Sequence, residues 1–338
     1  MYQSNIQLRK HLNSDALFQR IRFGVETRED TQEADVEISL ADALMLGFAM
    51  FSLKDSSLLT FDKRRKDEKR LKNLRSIYLI NNVPCDTRMR ERLDNVESEE
   101  LGPLFIDIFR QAKRGKALEK MVFMEDWYLL SLDGAQYFSS KKIHCPSCLQ
   151  KKSSKNGEVT YSHQLLGAAI VHPDFKEVIP IFPEPLLKQN GESKDDCERN
   201  AGKRCLKQFR KAHPPLQVIV IEDGLSSNAP NIGELKHHNM HFILGGKQGD
   251  HEFLFKQVEI AAGRGETTEH SLEIDHVTHR FRYLNHVGLN KSNQDVVVNL
   301  FEYWEIQADA TTQYFSSVTD FEIRRDNLFE LMRGGRAR

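Results

Sequence analysis

Apolar residues change their spacing near residue 120 and again near residue 267, and each change marks a different kind of structure. Residues 1 to about 120 read as helical. Ser39 offers an N-cap before the mostly apolar run Leu40 to Phe51. Lys63 to Arg75 is strongly basic with sparse apolar positions. After Val83-Pro84-Cys85, the stretch Arg88 to Leu93 restarts a helix that Asp86 or Thr87 can cap, and a further helix is predicted over Leu104 to Arg114.

From about 121 onward, short apolar runs predict strands. They cover Trp127 to Asp133, Tyr161 to Val171, and Glu177 to Phe182, the last closed by Pro183. Asp196 to His213 predicts a helix with Ala201, Cys205, Leu206 and Phe209 on one face. Gln217 to Gly224 is the clearest strand, followed by a helix over Asn231 to His238 and a strand over His241 to Leu244. Three β segments, a helix, a β segment, a helix and a β segment are the order of a mixed α/β sheet. Residues 267–320 return to strands at His279 to Leu284, Val296 to Ile306 and Gln313 to Thr319, and Asp326 opens a final helix. Lys151 to Gly157 and Lys188 to Lys194 read as exposed loops.

At 338 residues the chain is long enough for more than one folded unit. No apolar stretch reaches the roughly 20 residues of a membrane span, and Met1 to Asn5 lacks a signal-peptide core, so a cytoplasmic location is expected. The formal net charge of −1 means that any contact with nucleic acid must use local clusters. Five cysteines, an odd number, argue against a disulfide framework. The helix, basic segment and helix before residue 120 fit a small DNA-reading domain, and a solvated helical face fits the same charges.

Asp133 and Asp223 share a setting: an apolar strand, then the acid, then glycine. Strands ending together would bring both carboxylates to one sheet edge, where they need a cation between them. Oxygen donors of this kind suit Mg²⁺. The competing reading is that Asp-Gly makes a turn after each strand. Cys145-x2-Cys148 is the other informative spacing, since two such thiolates grip one Zn²⁺ that then needs further ligands. His144, His163, Cys197 and Cys205 are the candidates, with His163 and Cys197 preferred because the start of a helix at Asp196-Cys197 favours a thiolate. Unligated cysteines and redox chemistry are the alternatives. Glu198 and Arg199 read as solvated helix positions, and His237, His238 and His241 as surface residues. Trp127 reads as a core anchor beside Asp133, and Trp304 as packing within the β-rich stretch.

Leu132 to Ser140, His144 to Leu149, Asp196 to Ala201 and Glu222-Asp223-Gly224 together resemble a bacterial insertion-sequence transposase of the DDE superfamily. The resemblance runs from about residue 35 to the C-terminus. It implies an α/β RNase H-like mixed sheet with flanking helices and a β-rich insertion, preceded by an α-helical N-terminal domain. The implied divisions are 1–120 for DNA-end binding, 121–266 for the first part of the catalytic domain, 267–320 for the insertion, and 321–338 for the start of the last catalytic helix. Asp133 and Asp223 correspond to the first two catalytic acids and would hold Mg²⁺ or Mn²⁺, as two ions. Met332 to Arg338 resembles the start of the segment that carries the third, a glutamate shortly after a tryptophan. Arg338 is the last residue here, which implies a truncated or frameshifted frame without that carboxylate; Glu330 lies upstream of the motif.

Binding of transposon ends, phosphodiester hydrolysis and strand transfer into target DNA by a homo-oligomer are what the resemblance implies. Arg64, Arg65, Lys69 and Arg70 would contact phosphates of double-stranded DNA, and Arg88, Arg90 and Arg92 phosphates or base edges. Two rival expectations are a non-catalytic DNA-binding remnant and a structure-selective nuclease.

Overall fold

Polar N-caps ahead of apolar faces set the helices of the first part of the chain. In the computed structural model, residues 12–27, 38–187 and 197–337 are described, and the chain divides into two units, Met1–Lys120 and Met121–Arg338. The loop expected at Lys188 to Lys194 and the helix start expected at Asp196 lie outside the described residues.

In the first unit, Asn13 caps α1 (Ser14–Glu26), Ser39 caps α2 (Leu40–Ser52), Ser57 caps α3 (Leu58–Arg64) and Asp67 caps α4 (Glu68–Ser76). Each of these side chains accepts a bond from an otherwise orphaned N–H of the first turn. The expected cap of α5 (Asp86–Leu93) is corrected: the helix starts at Asp86, after Cys85, without a side-chain cap. Asp86 instead places its charge against the positive end of the helix. Helix α6 (Gly102–Arg114) follows, with Pro103 in its first turn.

The apolar faces meet in a core that includes Val25, Met45, Leu46, Phe61, Leu74, Ile80 and Met89. Asp42, 1% exposed, lies against it. It accepts bonds from Arg22 Nη1 at 2.5 Å and from the N–H groups of Asn81 and Asn82 at 3.1 and 2.9 Å. One buried carboxylate thereby ties α1, α2 and the chain leaving α4.

The second unit is a mixed α/β structure on a large sheet. β1 (Val122–Phe123) turns into β2 (Trp127–Ser140), which pairs antiparallel with β4 (Val159–Val171) along most of its length. The outer edge of β4 is shared by β3 (Leu149–Lys152) and β5 (Ile179–Leu186). On the other side β2 pairs in parallel with β6 (Val218–Glu222), and β6 in parallel with β7 (His241–Gly245). Helix α7 (Glu198–Ala212) joins β5 to β6, and α8 (Ala229–His237) joins β6 to β7. Val218 to Ile221 are all buried, as a strand covered on both faces requires.

Helix α9 (Glu252–Gly263) leads into β8 (Thr268–Ile274), β9 (Val277–Asn290), β10 (Asn293–Ile306) and β11 (Thr312–Thr319). These antiparallel strands continue the same sheet, because β11 pairs with β7. Helix α10 (Leu328–Gly335) packs Leu328, Leu331 and Met332 against Leu129, Ile219, Ile221 and Ile243, and against Phe281 and Tyr303 beyond them. One helix thus closes a core that spans the central strands and the β-rich stretch. No described helix is long and apolar enough to cross a membrane.

Three strand expectations are corrected. β2 does not end at Asp133 but runs on to Ser140. β5 is not closed by Pro183; it runs through Pro180, Pro183 and Pro185 with an irregularity in register, which an edge strand tolerates. Lys151 and Lys152 belong to β3 rather than to a loop.

Candidate functional site

Asp133 and Asp223 reach one place by the register of two parallel strands. Ser131 pairs with Ile221, so two residues further on Asp133 stands level with Asp223, which lies just past the end of β6. Adjacent strands are about 4.8 Å apart, and level residues in them share a face. That face is the one that carries Leu129, Ile219 and Ile221, beyond the cover of α10. Asp133-Gly134 makes no turn, since both residues are within β2. Asp223 does open a short turn: its carboxylate accepts the Leu225 N–H at 2.9 Å. Gly245 makes that turn fit, because a Cβ there would stand 2.9 Å from Gly224 N and 3.2 Å from Asp223 C.

Past Glu222, β2 loses its partner on this side, and a cavity of about 690 Å³ opens at the carboxyl end of β6. Asp133, Glu198, Glu222 and Asp223 line it, together with Lys151, Arg199 and Lys203. Glu198 is the functional candidate that sequence reasoning set aside. It begins α7, and its carboxylate lies where a Cβ on Gly134 would be, 2.2 Å from Oε1. The missing side chain at 134 is therefore what lets a helix-borne carboxylate reach the strand that carries Asp133. The available signal was the glycine itself, next to an acid in the middle of a strand. Glu198 stands on the Gly134 face of β2, across the pleat from Asp133, and the carboxylates of Asp133, Asp223 and Glu198 line the cavity without forming a group within 4.8 Å. Glu330 is exposed on α10 and is not part of this lining.

Cys145, Cys148 and His163 form a second cluster. Sγ of Cys145 lies 3.7 Å from Sγ of Cys148, and His163 Nε2 lies 3.3 and 3.4 Å from the two sulfurs. Burial pushes the Cys148 thiol up, and burial together with the two cysteines does the same to the Tyr137 hydroxyl. The other expected ligands are corrected. Cys197 lines the cavity with Ser162 and Gln164, whereas His163, between them on β4, points to the opposite face of the sheet. Cys205 is buried on the inner face of α7, and its thiol is pushed up to about 12 by burial and by Glu184 and Glu222. His144 stacks on Tyr161 at 4.3 Å.

The basic residues of the first unit are engaged internally more than their exposure in the sequence suggested. Arg64 and Arg70 both pair with Asp55, Arg65 with Asp62 at 2.7 Å, and Arg88 with Glu91 at 2.8 Å. Arg92 is 4% exposed, which takes it out of reach of a DNA phosphate. Lys69 and Arg90 are exposed. In the second unit His241 is not a free surface histidine: it bonds Asp320 at 2.7 Å between the rings of Trp127 and Phe321. Trp127 packs at the edge of the core, and Trp304 lies beneath Arg280 and Arg282 beside Tyr314. Near the C-terminus, Arg333 pairs with Asp174 and Arg336 with Glu305, so both arginines brace α10. Neither protein-family profiles nor curated proteins compared with this chain match it.

Proposed function

We propose that the protein cleaves and joins DNA strands as a DDE transposase of an insertion sequence, with an RNase H-like catalytic unit. The observation that carries this reading is that the register of parallel β2 and β6 sets Asp133, within β2, level with Asp223, just past β6, at the rim of one cavity. The element order supports it: five antiparallel strands, of which β2, β4 and β5 are the longest, then a helix, a parallel strand, a helix and a parallel strand, and a β-rich stretch before a core-packed helix. That is the order the resemblance implies for this fold.

Asp133 and Asp223 would hold the divalent ion, and the donor set fits: hard carboxylate oxygens at an open rim suit Mg²⁺ or Mn²⁺, which keep several waters and take few protein ligands. When bound, the ion supplies an activated water and charge stabilisation at the leaving oxygen of a phosphodiester. The chain's own residues do the rest. The Leu225 amide fixes the carboxylate of Asp223, and Glu198, seated in the Gly134 gap across the pleat of β2 from Asp133, forms part of the cavity wall. Arg199 and Lys203, one turn apart along α7, offer charge to a phosphate in the cavity.

Supercoiled plasmid incubated with the chain and Mg²⁺ or Mn²⁺ tests the reading. Nicking that disappears in Asp133→Ala and Asp223→Ala variants is expected. DNA retardation without metal-dependent cutting would reduce the protein to a DNA-binding one. Preference for branched substrates over terminal repeats would make it a nuclease.

A further inference from the structure

The thiol and imidazole cluster does not line the carboxylate cavity, and its geometry is specific enough to assign. We propose that Cys145, Cys148 and His163 bind one Zn²⁺ with a solvent-open fourth position, and that the ion pins the β2–β3 connection to β4.

The triangle of donor atoms carries the inference. With Zn–S of about 2.3 Å and Zn–N of about 2.0 Å, a tetrahedral ion sets its two sulfurs about 3.8 Å apart and each sulfur about 3.5 Å from the nitrogen. The observed edges are 3.7, 3.3 and 3.4 Å. Among the described residues, only these three bring His, Cys, Asp or Glu donor atoms within 4.8 Å of one another as a group of three. The sulfurs are far beyond the 2.05 Å of a disulfide.

The backbone is arranged for thiolates as well. The Cys148 N–H bonds Cys145 O at 3.2 Å, closing a tight turn, and the Cys145 N–H points at Cys148 Sγ at 3.3 Å. An amide directed at a sulfur stabilises charge on it and orients the ligand. The ring of His163 is held from the side, stacked with Tyr137 at 5.9 Å and tilted against Phe138 at 5.6 Å. That contact leaves Nε2 facing the two sulfurs.

The three ligands come from separate pieces of structure. Cys145 and Cys148 lie in the connection after β2, and Cys148 immediately precedes β3. His163 is in β4, which pairs with both β2 and β3. An ion at their meeting point cross-links the outer end of the sheet, where β2 has run past the end of β6 and short β3 has few pairs of its own. Cys145 is exposed, so the fourth position faces water. The fourth ligand does not come from Cys197, which the pleat of β4 places across the sheet.

Zinc content of the purified full chain by mass spectrometry, with cobalt replacement, decides the matter. The expected result is one zinc per chain, falling to about a tenth or less in Cys145→Ser, Cys148→Ser and His163→Ala, while Cys197→Ser keeps its zinc. Titration of Co²⁺ into the apo chain should give thiolate charge-transfer absorption and the intense visible bands of a tetrahedral ion. A folded wild-type chain that takes up neither ion overturns the proposal. So does a folded Cys148→Ser variant with full zinc, or loss of zinc in Cys197→Ser. None of these readouts involves DNA cleavage, so this site and the DNA reading stand or fall separately.

Discussion

Replacing Gly134 with alanine probes the cavity with the smallest available change. The added Cβ would lie 2.2 Å from Oε1 and 2.6 Å from Cδ of Glu198. Non-bonded atoms settle at about 3.5 Å, so the carboxylate must retreat by more than about 1 Å. The obstacle is the far end of a flexible side chain, and alanine is favoured over glycine within a strand by roughly 0.5–1 kcal/mol, so the net change in stability should be under about 1 kcal/mol. Activity should respond far more strongly. A misplacement of about 1 Å can lower a rate by about 100-fold even when its cause lies away from the reacting atoms, as the cavity wall at Glu198 does. The assay is plasmid nicking with Mn²⁺, run beside denaturant unfolding of the same preparations. Glu198→Gln should lower nicking to a similar extent, and the double variant should be no worse than either single one, because both act through one contact. Wild-type nicking by Gly134→Ala, at unchanged stability, would refute the role given to Glu198. Equal, additive losses from the two substitutions would refute the contact between them.

Other parts of the chain give independent expectations. Asp42→Ala leaves the Arg22 guanidinium and two amides without their buried acceptor; because Arg22 keeps Glu26 at 2.6 Å, the loss should fall near the low end of the range for a broken buried pair, about 3 kcal/mol. Hydrogen exchange at Asn81 and Asn82 reads this directly, and unchanged protection there would contradict it. Arg336 holds Glu305 below the usual carboxylate range through a hydrogen bond of 2.5 Å, against the opposing effect of burial, with the Tyr303 hydroxyl also donating. A carboxylate so depressed adds stability that is present above its unfolded value and lost as pH falls through its folded one. The stability gap between wild type and Arg336→Ala should therefore narrow below about pH 4.3, and a gap independent of pH would exclude the pair. Asp320→Asn should loosen the link between β7 and the chain after β11, seen as altered Trp127 fluorescence, because His241 is fixed between Asp320 and that ring; an unchanged spectrum would argue against it.

Alternating and continuous apolar runs exposed most of the central sheet. Gln217 to Gly224 reads as a strand because it is buried on both faces, and Ser39 reads as a cap because its hydroxyl has one plausible use. What stayed hidden has identifiable causes. β8 and β9 are joined through Asp275 and His276, both at positive φ, 49° and 65°, where glycine or asparagine would have announced the turn. α9 shows Leu254, Phe255, Val258 and Ala261 at helical spacing, a pattern present but unread between two stronger strand signals. β5 reads shorter in the sequence than it is, because proline weighs against a strand unless the strand lies at an edge.

In the candidate site, the acids were legible from two matching Asp-Gly steps, although only the one at Asp223 is a turn. Glu198 was not, because what marks it is the empty volume over Gly134, a property of packing rather than of spacing. The error over Cys197 has the same root. A sequence shows how many residues separate two ligands, and only the pleat shows on which face each one stands.

Fe²⁺ placed in the divalent-ion site, with ascorbate and peroxide, cuts the backbone next to the ion and so locates it. If Asp133 and Asp223 share an ion, cuts should fall around residues 132–134, 198–199 and 222–224 of the same molecule, fade as Mg²⁺ is added, and vanish in Asp133→Ala. Cutting confined to residues 145–148 and 163, or cutting near Asp133 that survives loss of Asp223, would contradict the shared site.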